Sequence, residues 1–193
     1  MQLGDRGAEY PALGSMTEPS AIRRRLTVPL CLALLVALVD VSTKAWAEAH
    51  LAGQPPRVLF DPLLRLELTV NPGAAFGLLG GGGRTLPVLL GAAMLGYLLW
   101  LTLRLRATGP MRHAALGLML GGALANLWDR AVGDARPHGL WSPDSQAGVI
   151  DFIVLEPWPG WTWPAFNLAD AALVVGAGLL LLTLWRLHRS AEL

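Results

Sequence analysis

The sequence predicts an all-α membrane protein, a four-transmembrane-helix bundle with a small extracytoplasmic β-sheet on the membrane surface. Three observations carry this. Only 15% of the 193 residues are charged and 53% are hydrophobic, against about 25% charged in an average soluble domain. Four apolar runs, at about 26–47, 86–103, 114–130 and 166–187, approach the ~20 helical residues that cross a bilayer core. Between the first two, Leu64-Arg65-Leu66-Glu67-Leu68-Thr69-Val70 alternates apolar with polar residues, the period of a half-buried strand.

Composition also narrows function. The net charge is +1, so no basic field points to nucleic acid. The single cysteine, Cys31, excludes an internal disulfide and a thiolate metal cluster. His50, His113, His138 and His188 show no metal-ligand spacing, so neither a metal nor another cofactor is expected.

Residues 1–21 are polar and carry Gly4, Gly7, Pro11, Gly14 and Pro19, the composition of a disordered extension; Met16 is an alternative start. Residues 22–189 read as one membrane-embedded domain and 190–193 as a tail. Arg23-Arg24-Arg25 precede the first run. With Ala45-Trp46-Ala47 at its far end, this run also fits a cleavable secretory signal. Asp40 and Lys44 argue for a retained helix, because their i,i+4 spacing places them within ion-pair reach on one face. Cys31 is expected to be a buried apolar residue. In the loop 48–84, the alternating strand presents Leu64, Leu66, Leu68 and Val70 on one side, which calls for a membrane surface or a second strand. Asn71-Pro72-Gly73 then turns the chain, and Gly80 to Gly83 form a joint.

The second run is nearly free of polar groups and ends in a short basic turn with Arg104, Arg106, Arg112 and His113. In the third, Gly117, Gly121 and Ala125 recur every four residues, a small-residue stripe that lets helices approach closely. It ends in Asn126-Leu127-Trp128-Asp129-Arg130. The loop 131–165 interleaves Trp158, Trp161 and Trp163 with prolines, the pattern of an aromatic belt at the lipid–water boundary. The fourth run opens on Phe166-Asn167-Leu168-Ala169-Asp170. Basic residues gather at 23–25, 104–113 and 186–189, which by the positive-inside rule places both termini in the cytoplasm. Asp40, Lys44, Asp129, Asp151 and Asp170 then fall at the outer face.

Asp151 and Asp170 each stand beside strongly apolar sequence, where a charge needs a partner or a role. Two carboxylates in a low-dielectric site share a proton. The ionised one can take a proton from water while the other donates to a carbonyl and then protonates the leaving nitrogen. Four other readings stand beside this aspartic-type hydrolysis, the first that Asp151 is an ordinary loop carboxylate. Asn167 and Asp170 fit a helix-capping pair. Asp129 and Arg130 fit a local ion pair. A transporter or proton relay would use the same intramembrane carboxylates, although it should also place polar groups at mid-depth.

Five motifs occur in order: Asp40-x-x-Thr43-Lys44, Asn71-x-Gly73-Ala74-Ala75-Phe76, Asn126-x-x-Asp129-Arg130, Ile150-Asp151-Phe152 and Phe166-Asn167-x-Ala169-Asp170. Together they resemble the motifs of lipoprotein signal peptidases (signal peptidase II) over roughly residues 26–187. The resemblance implies a membrane aspartic endopeptidase that removes the signal peptide from diacylglyceryl-modified prolipoproteins, cutting before the lipidated cysteine at the outer face of the bacterial cytoplasmic membrane. It implies diacylated prolipoproteins and membrane lipid as partners, a monomer, and Asp151 and Asp170 as the catalytic pair. Asp40, Lys44, Asn71, Gly73, Asn126, Asp129, Arg130 and Asn167 would support the site or the substrate. The stretch from Arg130 to Asp151 is longer than is usual in the family; Asp151 is preferred over Asp144 because Ile150 and Phe152 flank it.

Overall fold

The computed structural model describes residues 19–71, 85–104, 109–132, 148–158 and 160–191. Gly73, the glycine joint, Asp144 and most of the expected N-terminal extension lie outside the described residues. The elements in chain order are α1 (Pro19–Leu51), β1 (Arg57–Phe60), β2 (Leu64–Asn71), α2 (Thr85–Arg104), α3 (Pro110–Val132), β3 (Val149–Leu155) and α4 (Leu168–Ala191). Residues 19–21, expected in the disordered extension, are the first turn of α1.

α3 is the hub, packed against α1, α2 and α4. It turns Ala115, Gly117, Gly121, Gly122, Ala123 and Ala125 inward, so backbones meet with little side chain between them. A Cβ on Gly121 would lie 2.6 Å from the Ala33 carbonyl oxygen of α1. One on Gly122 would lie 2.4 Å from the Ala169 carbonyl oxygen of α4. The stripe expected from the sequence thus faces α1, and Gly122, one residue off it, serves α4. Ala37, Ala125 and Ala169 form a small cluster where α1, α3 and α4 meet.

Three helical segments are long and apolar enough to cross a membrane: Leu26–Leu51, Thr85–Arg104 and Leu168–Ser190. The expected third run is helical, but α3 is not among them. The reason is its position. A helix surrounded by other helices can carry small residues and Asn126, Asp129 and Arg130 where a lipid-facing helix needs leucine and valine. Cys31 corrects another expectation, being exposed. The inward face of α1 runs through Pro29, Ala33, Ala37 and Asp40, leaving Cys31 on the outer face with Leu30, Leu34 and Leu35.

The sheet has the order β1-β2-β3, antiparallel throughout. β3 was not anticipated: Asp151 was read in a loop and sits mid-strand, opposite Thr69. Ile150 and Phe152 of β3 pack on Ala47 and Leu51 of α1, which seats the sheet on the end of the bundle. The alternating exposure expected of Leu64 to Val70 is absent, since every residue of β2 is half-buried. As the central strand, β2 is flanked on both sides. The fourth helix starts at Leu168, not 166, because Phe166 is drawn into a bridge with Ile153.

Gly122→Ala should lower the melting temperature in detergent, by about 1–3 kcal/mol of stability for overpacking. Gly178→Ala, where an added Cβ meets nothing within 4 Å, should not. Equal melting of the two variants would reject the close α3–α4 approach.

Candidate active site

The site forms where the C-terminal ends of α1 and α3 and the N-terminal end of α4 meet β3. Its base is an ion triad. Lys44 Nζ lies 2.6 Å from Asp40 Oδ2 and 2.8 Å from Asp129 Oδ2, with all three side chains fully buried. Asp40 and Lys44 share a face of α1 as their spacing implies. Asp129 pairs with Lys44 from α3. Arg130 donates to the Asn126 carbonyl, one turn back, at 3.1 Å.

Asp40 carries the triad into α4. Its Oδ1 accepts the Ala169 backbone N–H at 2.8 Å. The first N–H groups of a helix lack intrahelical partners, so a carboxylate from α1 satisfies one and complements the helix dipole. The next partners come from a reciprocal capping box. Asp170 N donates to Asn167 Oδ1 at 2.9 Å, and Asn167 N donates to Asp170 Oδ2 at 3.3 Å. The capping reading of Asn167 and Asp170 is therefore correct as geometry. It leaves the rest of both side chains available.

Two amides link the cap to the other groups. Asn126 Oδ1 accepts from Lys44 Nζ at 3.1 Å, while its Nδ2 donates to Asp170 Oδ1 at 2.7 Å. A flipped Asn126 would turn its donors on the lysine, so the ion triad sets its orientation. Asn167 Nδ2 donates to Asp151 Oδ1 at 2.7 Å and contacts the Ile150 carbonyl at 3.2 Å. Asn167 thus touches both carboxylates, one through its side chain and one through its backbone. Asn71, the diagonal cross-strand neighbour of Asp151, donates to Asp151 Oδ2 at 3.0 Å.

Asp151 is buried, and burial pushes its carboxyl up to about 6. The N–H bonds from Asn71 and Asn167 oppose that shift, whereas the nearby charge of Asp170 adds to it. Asp170 is half-buried and lines two cavities. One, of about 460 Å³, lies between α2, α3 and α4, with Met94, Leu98, Asn126, Arg130 and Leu173 in its wall. The other, of about 410 Å³, shares Asp170 and Val174 with the first and lies against Leu155, Trp163 and Phe166. Both are largely apolar, with Asp170 at the polar end. Among the described residues no cluster of metal-ligating side chains occurs.

Of the residues singled out from the sequence, Asp40, Lys44, Asn71, Asn126, Asp129, Asp151, Asn167 and Asp170 are joined in one network. Arg130 joins through the Asn126 backbone and feels the charges of Asp170, Asp129 and Asp151. Sequence reasoning missed Thr69, whose hydroxyl donates to the Asp151 carbonyl at 3.2 Å, and buried Glu48, one turn beyond Lys44. Glu48 was visible as a further i,i+4 step. Thr69 would have followed had Val149 to Leu155 been read as a strand from its apolar run.

Lys44→Met should strand two buried carboxylates and cost about 3–5 kcal/mol in a detergent melt. Adding Asp40→Asn and Asp129→Asn should recover most of it. A single variant that melts like the parent would remove the triad as the base of the site.

Comparison with known proteins agrees with the geometry. The family described as Signal peptidase (SPase) II matches residues 32–186. The chain is similar to proteins named lipoprotein signal peptidase from Pseudomonas paraeruginosa (35% identity over 166 residues, covering 84% of this chain and 90% of that one). A relative of the same name from Cellvibrio japonicus is 36% identical, covering 79% and 83%. One from Rhodococcus jostii is 35% identical, covering 91% and 81%. Two solved structures described as bacterial membrane enzymes share the fold at 24% identity. They have TM-scores of 0.67 (81% of this chain, 91% of that one) and 0.64 (82% and 87%). With a family match across most of its length, and with apolar helices able to span a bilayer, this chain is a bacterial membrane protein that belongs to the signal peptidase II family of peptidases.

Proposed function

We propose that the protein is an aspartic endopeptidase that removes the signal peptide from diacylglyceryl-modified prolipoproteins, cutting before the lipidated cysteine. Asp151 and Asp170 activate the water. The observation that carries this reading is the bridging of the two carboxylates by Asn167 beside cavities that are otherwise apolar. A transport function is not favoured, because the buried acids gather at one end of the helices and the relatives are peptidases.

Asp151, raised by burial, is the partner that holds the shared proton. Asp170 accepts an N–H on each oxygen and is set to take a proton from water. Water adds to the scissile carbonyl carbon as Asp170 removes its proton and Asp151 protonates the carbonyl oxygen. In the second step Asp170 protonates the leaving nitrogen, Asp151 takes back a proton from the tetrahedral diol, and the C–N bond breaks. Both acids end in their starting states. Asn71, Asn126 and Asn167 hold the pair, and the triad of Asp40, Lys44 and Asp129 holds the helices that carry it. Arg130, in the wall of the larger cavity, orients the substrate backbone, and Gly73, outside the described residues, is assigned to substrate binding.

α3, with 23 residues, is the fourth crossing. At 1.5 Å per residue it is ~35 Å long, enough for the bilayer core. The termini are cytoplasmic and the acids lie near the outer face, as the basic residues at 104–113 and 186–189 support. The acyl chains of the substrate stay in lipid while its peptide crosses the outer ends of the helices. The protein acts as a monomer.

A gel-shift assay on a diacylated prolipoprotein should show processing by the parent and none by Asp151→Asn or Asp170→Asn. Full processing by either variant would end the aspartic reading. The same two variants should separate in thermal melts. The stability tied to the raised carboxyl of Asp151 is present below its ordinary value of 3.8 and is lost as pH rises through about 6. Asp151→Asn should therefore be at least as stable as the parent at pH ~8. Asp170→Asn should lose about 1 kcal/mol with its capping box.

The pH profile gives a further test. Above about 6 Asp151 loses the shared proton, so kcat/KM should fall as pH rises. Asn71→Ala removes a donor that favours the ionised form, which raises Asp151 further and moves this limb to higher pH. A shift to lower pH would reject Asp151 as the proton holder.

A further inference from the structure

The loop between β3 and α4 carries Trp158, Trp161 and Trp163 and is closed at its base by specific bonds. Trp163 N donates to the Leu155 carbonyl at 2.8 Å. Trp161 N donates to the Trp158 carbonyl at 3.2 Å around Gly160, whose φ of 82° favours glycine. Trp158 and Trp161 stack with centroids 4.8 Å apart, and Trp163 meets Trp161 edge-on at 5.4 Å. The segment is a short hairpin with an aromatic face, and Trp163 lines the cavity that Asp170 also lines.

Glu156 stands at the entry to this hairpin. Its Oε1 accepts from Thr162 Oγ1, on the returning limb, at 3.0 Å. The same oxygen accepts from the Arg65 guanidinium of β2. Arg65 is steadied in turn by Glu67 at 3.1 Å. The Glu156 backbone N–H also donates to the Leu63 carbonyl at 2.8 Å. One carboxylate therefore ties both limbs of the hairpin to the sheet, and nothing in the hydrolytic steps uses it.

We propose that the Arg65–Glu156–Thr162 clasp is a positioning device. It holds the tryptophan hairpin as a wall of the cavity beside Asp170 and so sets affinity for the lipid-bearing substrate without entering the chemistry. The inference rests on the peptidase reading for its substrate and on the clasp geometry for its structure. The electrostatics agree: hydrogen bonds from Arg65 and Thr162 hold the Glu156 carboxyl below the usual range, and those with Glu156 and Glu67 raise Arg65. The alternative is that the clasp merely stabilises the sheet edge, in which case its loss lowers the melting point and leaves substrate affinity alone.

Steady-state kinetics on a diacylated prolipoprotein in mixed micelles, with hydrogen exchange on residues 157–163, distinguish the two. Glu156→Ala should raise KM about threefold to tenfold with kcat within about twofold, as for loss of a solvent-exposed ionic contact. The Trp161 and Trp163 amides should exchange faster. Glu156→Gln keeps an oxygen for Thr162 and Arg65 and should fall nearer the parent. Thr162→Val removes the loop arm alone, leaves the sheet intact and should reproduce part of the KM rise. High salt should raise KM for the parent and not for Glu156→Ala. Unchanged KM in folded Glu156→Ala or Thr162→Val, or a fall in kcat at constant KM, would overturn the proposal. If the parent does not process the substrate at all, the peptidase reading fails, while faster amide exchange in the variants would still uphold the clasp as the anchor of the hairpin and unchanged exchange would sink it.

Discussion

A lysine with no access to solvent is the constraint on which the structure depends. Lys44 is surrounded by Asp40, Asp129 and the Asn126 oxygen. In a low-dielectric interior, the attraction that holds such a group is large only while every partner stays in place. The triad therefore fixes the relative positions of α1 and α3, and Asp40 extends the constraint to the first turn of α4. Its value lies in registry. Apolar helices in lipid gain little from being next to one another, and small-residue contacts tolerate sliding. A buried charge network does not.

The network reaches the acids through amides, and this suits a site that must hold two carboxylates close together. An asparagine offers a donor and an acceptor at fixed separation without adding charge. Asn126 turns its oxygen to the cation and its nitrogen to Asp170. Asn167 turns its nitrogen to Asp151 and its oxygen to the backbone of α4. The capping box and the proposed chemistry are compatible for the same reason. The bonds that begin α4 orient Asp170 and leave it in the walls of both adjoining cavities.

The sheet supplies what the bundle lacks. Asp151 is held mid-strand on β3, between the bundle beneath it and β2 beside it, and it inherits both the burial that raises its carboxyl and the amide of Asn71 that restrains the rise. β2 also carries Arg65, so one strand meets the acid with its far end and the tryptophan hairpin with its near end. The aromatic wall and the carboxylate pair are in this way built on a common strand.

The helices, the pairing of Asp40 with Lys44 and the cap that opens α4 were legible in the sequence, because a greasy run, an i,i+4 ion pair and an Asn-x-x-Asp cap are local patterns whose physics acts over a few residues. The site itself was legible as a set of residues but not as a set of bonds. Nothing along the chain says that Asp129 turns to Lys44, that Asn167 bridges both acids, or that the residue beside the glycine stripe is the one that admits α4. The apolar run of Val149 to Leu155 looked like loop because its strand partner is far along the chain, with Thr69 and Asp151 82 residues apart. α3 failed the simple test of apolarity for the opposite reason: its neighbours are protein, so its sequence is tuned to helices that only the folded chain brings to it. Local spacing determines which groups can pair, whereas burial and long-range contact decide which of them do, since only the assembled interior makes an unpaired charge too costly to keep.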